Sequence, residues 1–380
     1  MTRALPLSIL LLAAPFSPAF AEDAQERFEA DAAAAFGQAI ADHNIPGLIV
    51  GVTKGGEHRF YATGLASRED TRPVTPDTIF ELGSISKIFN VTLAALAEER
   101  GQLSLDAPVS TWLPRLQGVP AGQLSLLDLA THHSGGLPLQ VPDDAKTVDQ
   151  LVDWLQAWTP PEPGARSYSN ISIGLLGHVM AQVMGMSYAD AAEGVLFPAL
   201  GLKDSWVEVP PAAANRYAYG HDRKTDEPIR VTPGVLDDEA YGVKSTARDM
   251  LTLLDVELGE APVAPDVAKA VSRTQEPQFQ TRLFTQSMIW EAYPWPADPE
   301  RLVAGNGYDF ILKPQPMEAS EQPAGGEVFL NKTGSTNGFG AYVAMVPSED
   351  LGVVVLANRN FPNEVRVRAT LELISRLTVD

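Results

Sequence analysis

Strand-forming sequence lies at the two ends of this chain, and that placement constrains the fold more than any other feature. "GLIVGVT" (47–53) is rich in β-branched residues, "KGGE" (54–57) is turn chemistry, and "RFYATGLAS" (59–67) returns the chain. Together they read as a hairpin. The far end repeats the pattern with "EVFLNK" (327–332), "FGAYVAMVP" (339–347) and "LGVVVLANRN" (351–360). Turns are expected at "TGSTNG" and "SED", and a closing helix from about Glu364. An Ala-rich segment (25–42) with helical spacing stops at Asn44-Ile45-Pro46-Gly47. From about 91 to 200 the pattern is mostly helical, broken by "SGGLPLQVPDD" (134–144) and "TPPEPGARS" (159–167). The expected fold class is therefore α+β. One antiparallel sheet is built from both chain ends and flanked by helices, with an inserted all-helical lobe. Approximate bounds are 22–82 and 226–380 for the sheet lobe and 83–225 for the helical lobe. A cleft between two lobes is the natural place for a site.

The 380 residues, 45% of them hydrophobic, are ample for such a core. Residues 1–21 carry one cation, Arg3, then an apolar run from Ala4 through Leu12, and end in Ala19-Phe20-Ala21. This is the pattern of a secretory signal cut after Ala21, so a periplasmic location is expected. The run is too short for a stable membrane span, and no membrane partner is expected. Removal of the segment leaves 27 basic against 48 acidic residues, a net charge of −21. That charge argues against a nucleic-acid partner. The chain has no cysteine, hence no disulfide, thiolate nucleophile or cysteine metal site. None of its six histidines shows H-E-x-x-H or H-x-H spacing, which argues against a zinc hydrolase.

The chemistry concentrates in four short stretches. In "FELGSISKIFN" (80–90), Ser84 and Lys87 stand three residues apart and share a face if the segment is helical. A desolvated lysine can lose its proton, and a serine beside a base becomes a nucleophile. Alone, the motif recurs by chance and reads more readily as a helix start with a solvated lysine. Tyr168-Ser169-Asn170 follows the Pro- and Gly-rich loop. A tyrosine near two lysines could work as a phenolate base, and Asn170 could bind an amide or hold a lysine. Alone, it is a tyrosine at a helix start with an N-cap. Lys332-Thr333-Gly334-Ser335 ends a strand, with Lys332 pointing into the cleft and Thr333 onto the opposite face unless the strand is twisted or bulged. Gly334 permits close approach of a ligand, and the Ser335 N–H could join the Ser84 N–H as an oxyanion donor. Asn363 and Arg366 open the last helix and could recognise an anion.

S-x-x-K, Y-x-N and K-T-G in this order resemble the serine β-lactamases and penicillin-binding proteins. "FELGSISKIF", "LLDLATHHSGGLPLQVPDD", "YSNISIGLLG", "AYGVKSTARDM", "IWEAYPWP" and "NKTGSTNGFGAYVAMVP" extend the likeness over essentially the whole mature chain to the class C β-lactamases. The resemblance implies Ser84 as the acylated nucleophile. It implies that Lys87 and Tyr168 share its proton and later activate water, with Lys332 in support. Asn170 and Gln140 would contact the acylamido side chain, and Tyr241 would line its pocket. Thr333, Ser335, Asn363 and Arg366 would surround the carboxylate. The family needs no metal and no cofactor. Cephalosporins and penicillins are the implied substrates, and a monomer is expected. "THH" before Ser134 and "FTQSMIW" before Glu291 depart from the pattern. Two rivals use the same acylation chemistry: a D-alanyl-D-alanine carboxypeptidase or esterase, and a sensor that traps the acyl form.

Overall fold

The computed structural model describes residues 18–320 and 327–378. The signal segment expected over 1–21 therefore lies almost wholly outside the described residues. The first helix, α1 (Pro18–Asp42), begins four residues before the expected cut. Then come β1 (Gly47–Lys54), β2 (Glu57–Ser67), β3 (Arg72–Pro73), α2 (Ser86–Glu99), α3 (Asn170–Met184) and α4 (Ala247–Leu258). The chain continues through β4 (Phe279–Gln280), β5 (Thr285–Gln286), β6 (Glu291–Pro294) and β7 (Glu318–Ala319). It ends with β8 (Val328–Ser335), β9 (Gly340–Val346), β10 (Leu351–Ala357) and α5 (Asn363–Leu377).

The ten strands form one sheet in the order β7-β4-β5-β6-β8-β9-β10-β1-β2-β3. Every pairing is antiparallel, and the two chain ends meet where β1 lies against β10, with Val50 opposite Val355. The expected α+β architecture is what forms. The edge strands β4 to β7 were not foreseen: at two to four residues they are too short to show a period of two.

The central strands are apolar on both faces because both are covered. Leu48, Val50 and Val52 pack with Val353 and Val355 against Phe28 and Phe36 of α1 and Val367 and Ile374 of α5. Ile49, Val343, Val354 and Leu356 face the other way, into a core with Ile88 and Phe89 of α2 and Leu251 and Leu254 of α4. Each fully buried aliphatic side chain contributes about 1.5–3 kcal/mol. That second core runs on without interruption into the helical region, through Leu129, Leu155 and Leu176. Helix α2 is buried from Ser86 to Ala97, as a helix apolar all round should be. It carries Lys87 into the middle of the molecule.

One expectation about the sheet needs correction. The stretch "TGSTNG" is not all turn: β8 continues through Thr333, Gly334 and Ser335, which pair with Tyr342, Ala341 and Gly340. Gly and Ser carry turn chemistry in a sequence, but here the ladder to β9 outweighs it.

Candidate active site

Ser84 sits in a short 3₁₀ turn, Gly83–Ile85, that leads into α2. The turn and the helix keep the three-residue spacing on one face. Lys87 Nζ reaches Ser84 Oγ at 3.1 Å, and it also donates to Asn170 Oδ1 at 2.7 Å and to Ala240 O at 2.8 Å. Lys87 has no exposed surface. Burial lowers its ammonium from 10.5 to about 8, with Lys332 adding to the drop and Tyr168 opposing it.

Tyr168 stands just before α3. Ser169 caps that helix, its hydroxyl accepting from Ser172 N at 3.1 Å, and so fixes Tyr168 and Asn170 on either side. Tyr168 and Ser84 line the same cavity, and Ser84 is one of the groups that bear on the Tyr168 phenol. The nitrogens of Lys87 and Lys332 lie 5.3 and 5.1 Å from its ring centre. Burial alone would push this phenol up, but the two ammonium groups and Ser84 more than offset it. The phenol falls from 10 to about 8. A lysine and a tyrosine that both titrate near 8 beside one serine share protons as a pair.

A cavity of about 440 Å³ opens beside these groups. Its walls include Ser84, Gln140, Tyr168, Asn170, Tyr241, Lys332, Thr333, Gly334, Ser335 and Asn363. Gln140 Oε1 accepts from Asn170 Nδ2 at 3.1 Å, tying the two amides together. Thr333 joins the same wall as Lys332, contrary to the opposite-face expectation. Lys332 has its Nζ on the Thr333 carbonyl at 3.1 Å.

One residue takes a position the sequence did not suggest. Arg366 has no exposed surface. Its donors go to the carbonyls of Gly334, Ala341 and Phe361, to Ser335 Oγ and to Asn360 Oδ1. All five N–H groups are used, so Arg366 braces Ser335 from behind and is not free to meet an anion. Asn363 does line the cavity, with one amide N–H given to Asn306 O at 3.0 Å.

Glycines let the serine turn and β8 cross closely. Gly83 has φ +55°, and a Cβ there would overlap the Ser335 backbone; a Cβ on Gly334 would overlap Leu82 O. This approach brings the Ser335 backbone nitrogen against Gly83, the residue before Ser84. Gly334→Ala is accordingly expected to cost about 1–3 kcal/mol of stability, the usual price of overpacking. It should also lower kcat/KM on the order of 100-fold by displacing the donor. Thermal unfolding beside hydrolysis rates checks both effects.

Below Tyr168 lies an ion pair that sequence reading missed. Arg166 Nη2 meets Glu291 Oε1 at 3.1 Å, with both side chains about 1% exposed. Arg166 Nε donates to Gln286 Oε1 at 2.7 Å, and its guanidinium carbon is 5.6 Å from the Tyr168 ring centre. The pair spans 125 residues of sequence. The nearest signal was an arginine two places before the tyrosine. Glu291→Ala would leave a buried, unpaired cation and is expected to destabilise the protein by about 3–5 kcal/mol, measurable by denaturant unfolding.

The profile of the beta-lactamase family matches residues 32–376. The crystal structure of a class C beta-lactamase from Rhodobacter sphaeroides is 72% identical, with TM-score 0.90, covering 91% of this chain and 99% of that one. A beta-lactamase structure from a Sulfitobacter species is 60% identical, with TM-score 0.92, covering 93% and 99%. A beta-lactamase/D-alanine carboxypeptidase structure from Pseudomonas syringae is 40% identical, with TM-score 0.89, covering 92% and 99%.

Proposed function

The chain belongs to the beta-lactamase family, in its class C branch, and we propose that it hydrolyses the β-lactam amide of cephalosporins and penicillins through an acyl-enzyme on Ser84. The observation that carries this reading is the convergence of Ser84, Tyr168 and Lys332 on one cavity, with buried Lys87 bonded to Ser84 beside it. In acylation, the Ser84 hydroxyl gives its proton to the Lys87–Tyr168 pair, and Oγ bonds to the lactam carbonyl carbon. The carbon–nitrogen bond breaks, and the pair returns the proton to the departing nitrogen. In deacylation, the pair takes a proton from water, the hydroxide attacks the ester, and Ser84 Oγ leaves with a proton. The N–H groups of Ser84 and Ser335 hold the oxyanion in both halves, each worth roughly 3 kcal/mol in comparable sites. Asn170, Gln140 and Tyr241 receive the acylamido side chain. Lys332, Thr333 and Ser335 meet the substrate carboxylate.

The second reading is a D-alanyl-D-alanine carboxypeptidase, favoured by the double name of the Pseudomonas syringae relative. The two differ in deacylation, since a fold hosts both. Steady-state rates on a chromogenic cephalosporin and on a peptide ending in D-Ala-D-Ala separate them. Rapid lactam turnover with slow peptide cleavage supports the lactamase; the reverse supports the peptidase. Export to the periplasm and a monomeric state complete the proposal, the first supported by the apolar run and Ala19-Phe20-Ala21.

A further inference from the structure

His132 stands in a place no part of the reaction above accounts for. It is 1% exposed and lies in the left-handed region with φ +59°. A histidine backbone held there needs its surroundings to over-determine it. Three contacts do so, and all three are to the segment that carries Tyr168. The His132 carbonyl accepts from Ser167 N at 2.8 Å. Its ring Nδ1 accepts from Ser169 N at 3.3 Å. Its ring centre lies 4.5 Å from that of Tyr168, the planes inclined at 55°. Resting on the functional reading above, we propose that His132 is a positioning residue for Tyr168, clipping the N–H groups on both sides of the tyrosine and bearing on its ring.

The chemistry of the ring agrees with this part. Nδ1 can accept from Ser169 only when it carries no proton, so the ring must be neutral with its proton on Nε2. Among the described residues, Nε2 is buried with no hydrogen-bond partner. Burial, then the cations Arg166, Lys87 and Lys332, hold the imidazole well below 6.5. A protonated ring would turn its acceptor into a donor facing Ser169 N–H. The clip therefore persists across neutral pH. A phenylalanine would keep the ring contact and lose the acceptor. An asparagine places an acceptor near the Nδ1 position and tolerates positive φ.

The test uses the full mature chain and reads Ser84 acylation by intact mass separately from turnover of a chromogenic cephalosporin. His132→Phe and His132→Gln are expected to lower the acylation rate and kcat by about 10- to 100-fold, the scale of a small misplacement of a catalytic group. KM should stay within about threefold, because His132 does not line the cavity. His132→Asn should recover most of the loss. Equal losses in the Asn and Gln variants, or a Phe variant within threefold of the parent, would overturn the proposal. If the Phe variant fails to fold, the Asn and Gln pair decides. A parent protein that acylates without turning over sinks the lactamase reading instead and leaves the acylation comparison intact.

Discussion

Ser84→Ala is expected to fold like the parent and to lose β-lactam turnover on the order of 10⁴-fold or more, the scale seen when a serine hydrolase loses its nucleophile. The structure gives reasons for both halves. Ser84 is only partly buried, and its hydroxyl serves no packing role. Without it, Lys87 Nζ keeps its bonds to Asn170 Oδ1 and Ala240 O. No buried charge is stranded, so the melting temperature should hold within the range of an ordinary surface change. What disappears is the oxygen that Lys87 Nζ meets at 3.1 Å, on the cavity wall that Tyr168 shares. Equal hydrolysis by parent and variant would remove Ser84 from the chemistry. A variant that also unfolds early would be uninformative about catalysis, so thermal unfolding must accompany the rate.

Lys332→Met is expected to move the pH dependence of acylation toward alkaline pH while lowering the rate at pH 7. Among the charges near Tyr168, Lys332 does most to hold the phenol down to about 8. The same ammonium also presses the Lys87 ammonium down. Removing it raises both, so both groups hold their protons to higher pH and the basic form of the pair becomes rarer at neutrality. Tyr168→Phe goes further and deletes one member, for an expected loss of about 10²–10⁴-fold, the range of a positioned acid or base. Single-turnover acylation followed from pH 5.5 to 9.5 reads these effects. A limb that stays near 8 in Lys332→Met, or moves toward acid, would mean that Lys332 does not tune the pair.

Much of this site could be read from local sequence, and the remainder shows where local reading stops. Ser84 and Lys87 were legible because helical spacing alone puts them on one face. The hairpin at 47–67 and the strands after 327 were legible through their β-branched runs and the turns between them. The meeting of Tyr168 and Lys332 was not, because no periodicity brings a loop before α3 to a strand 164 residues later. There the order of motifs and the family resemblance carried the reading. Arg166 with Glu291 was missed for the same reason: a buried ion pair leaves no local trace. His132 was noticed only as a departure within "THH", since a positive φ and a ring contact are facts of tertiary structure. Arg366 was misread because an arginine near a site suggests an anion. Sequence gives no warning that the carbonyls of Gly334, Ala341 and Phe361 converge on one guanidinium.

The most direct test is rapid-quench analysis of the mature protein mixed with a chromogenic cephalosporin, with product and intact protein mass followed together. The account predicts a transient adduct on the Ser84 peptide, followed by many moles of product per mole of protein, and neither in Ser84→Ala. One mole of product with a lasting adduct would contradict the lactamase and point to an acyl-trapping or peptidase relative. Sustained turnover without any dependence on Ser84 would contradict the acyl-enzyme itself.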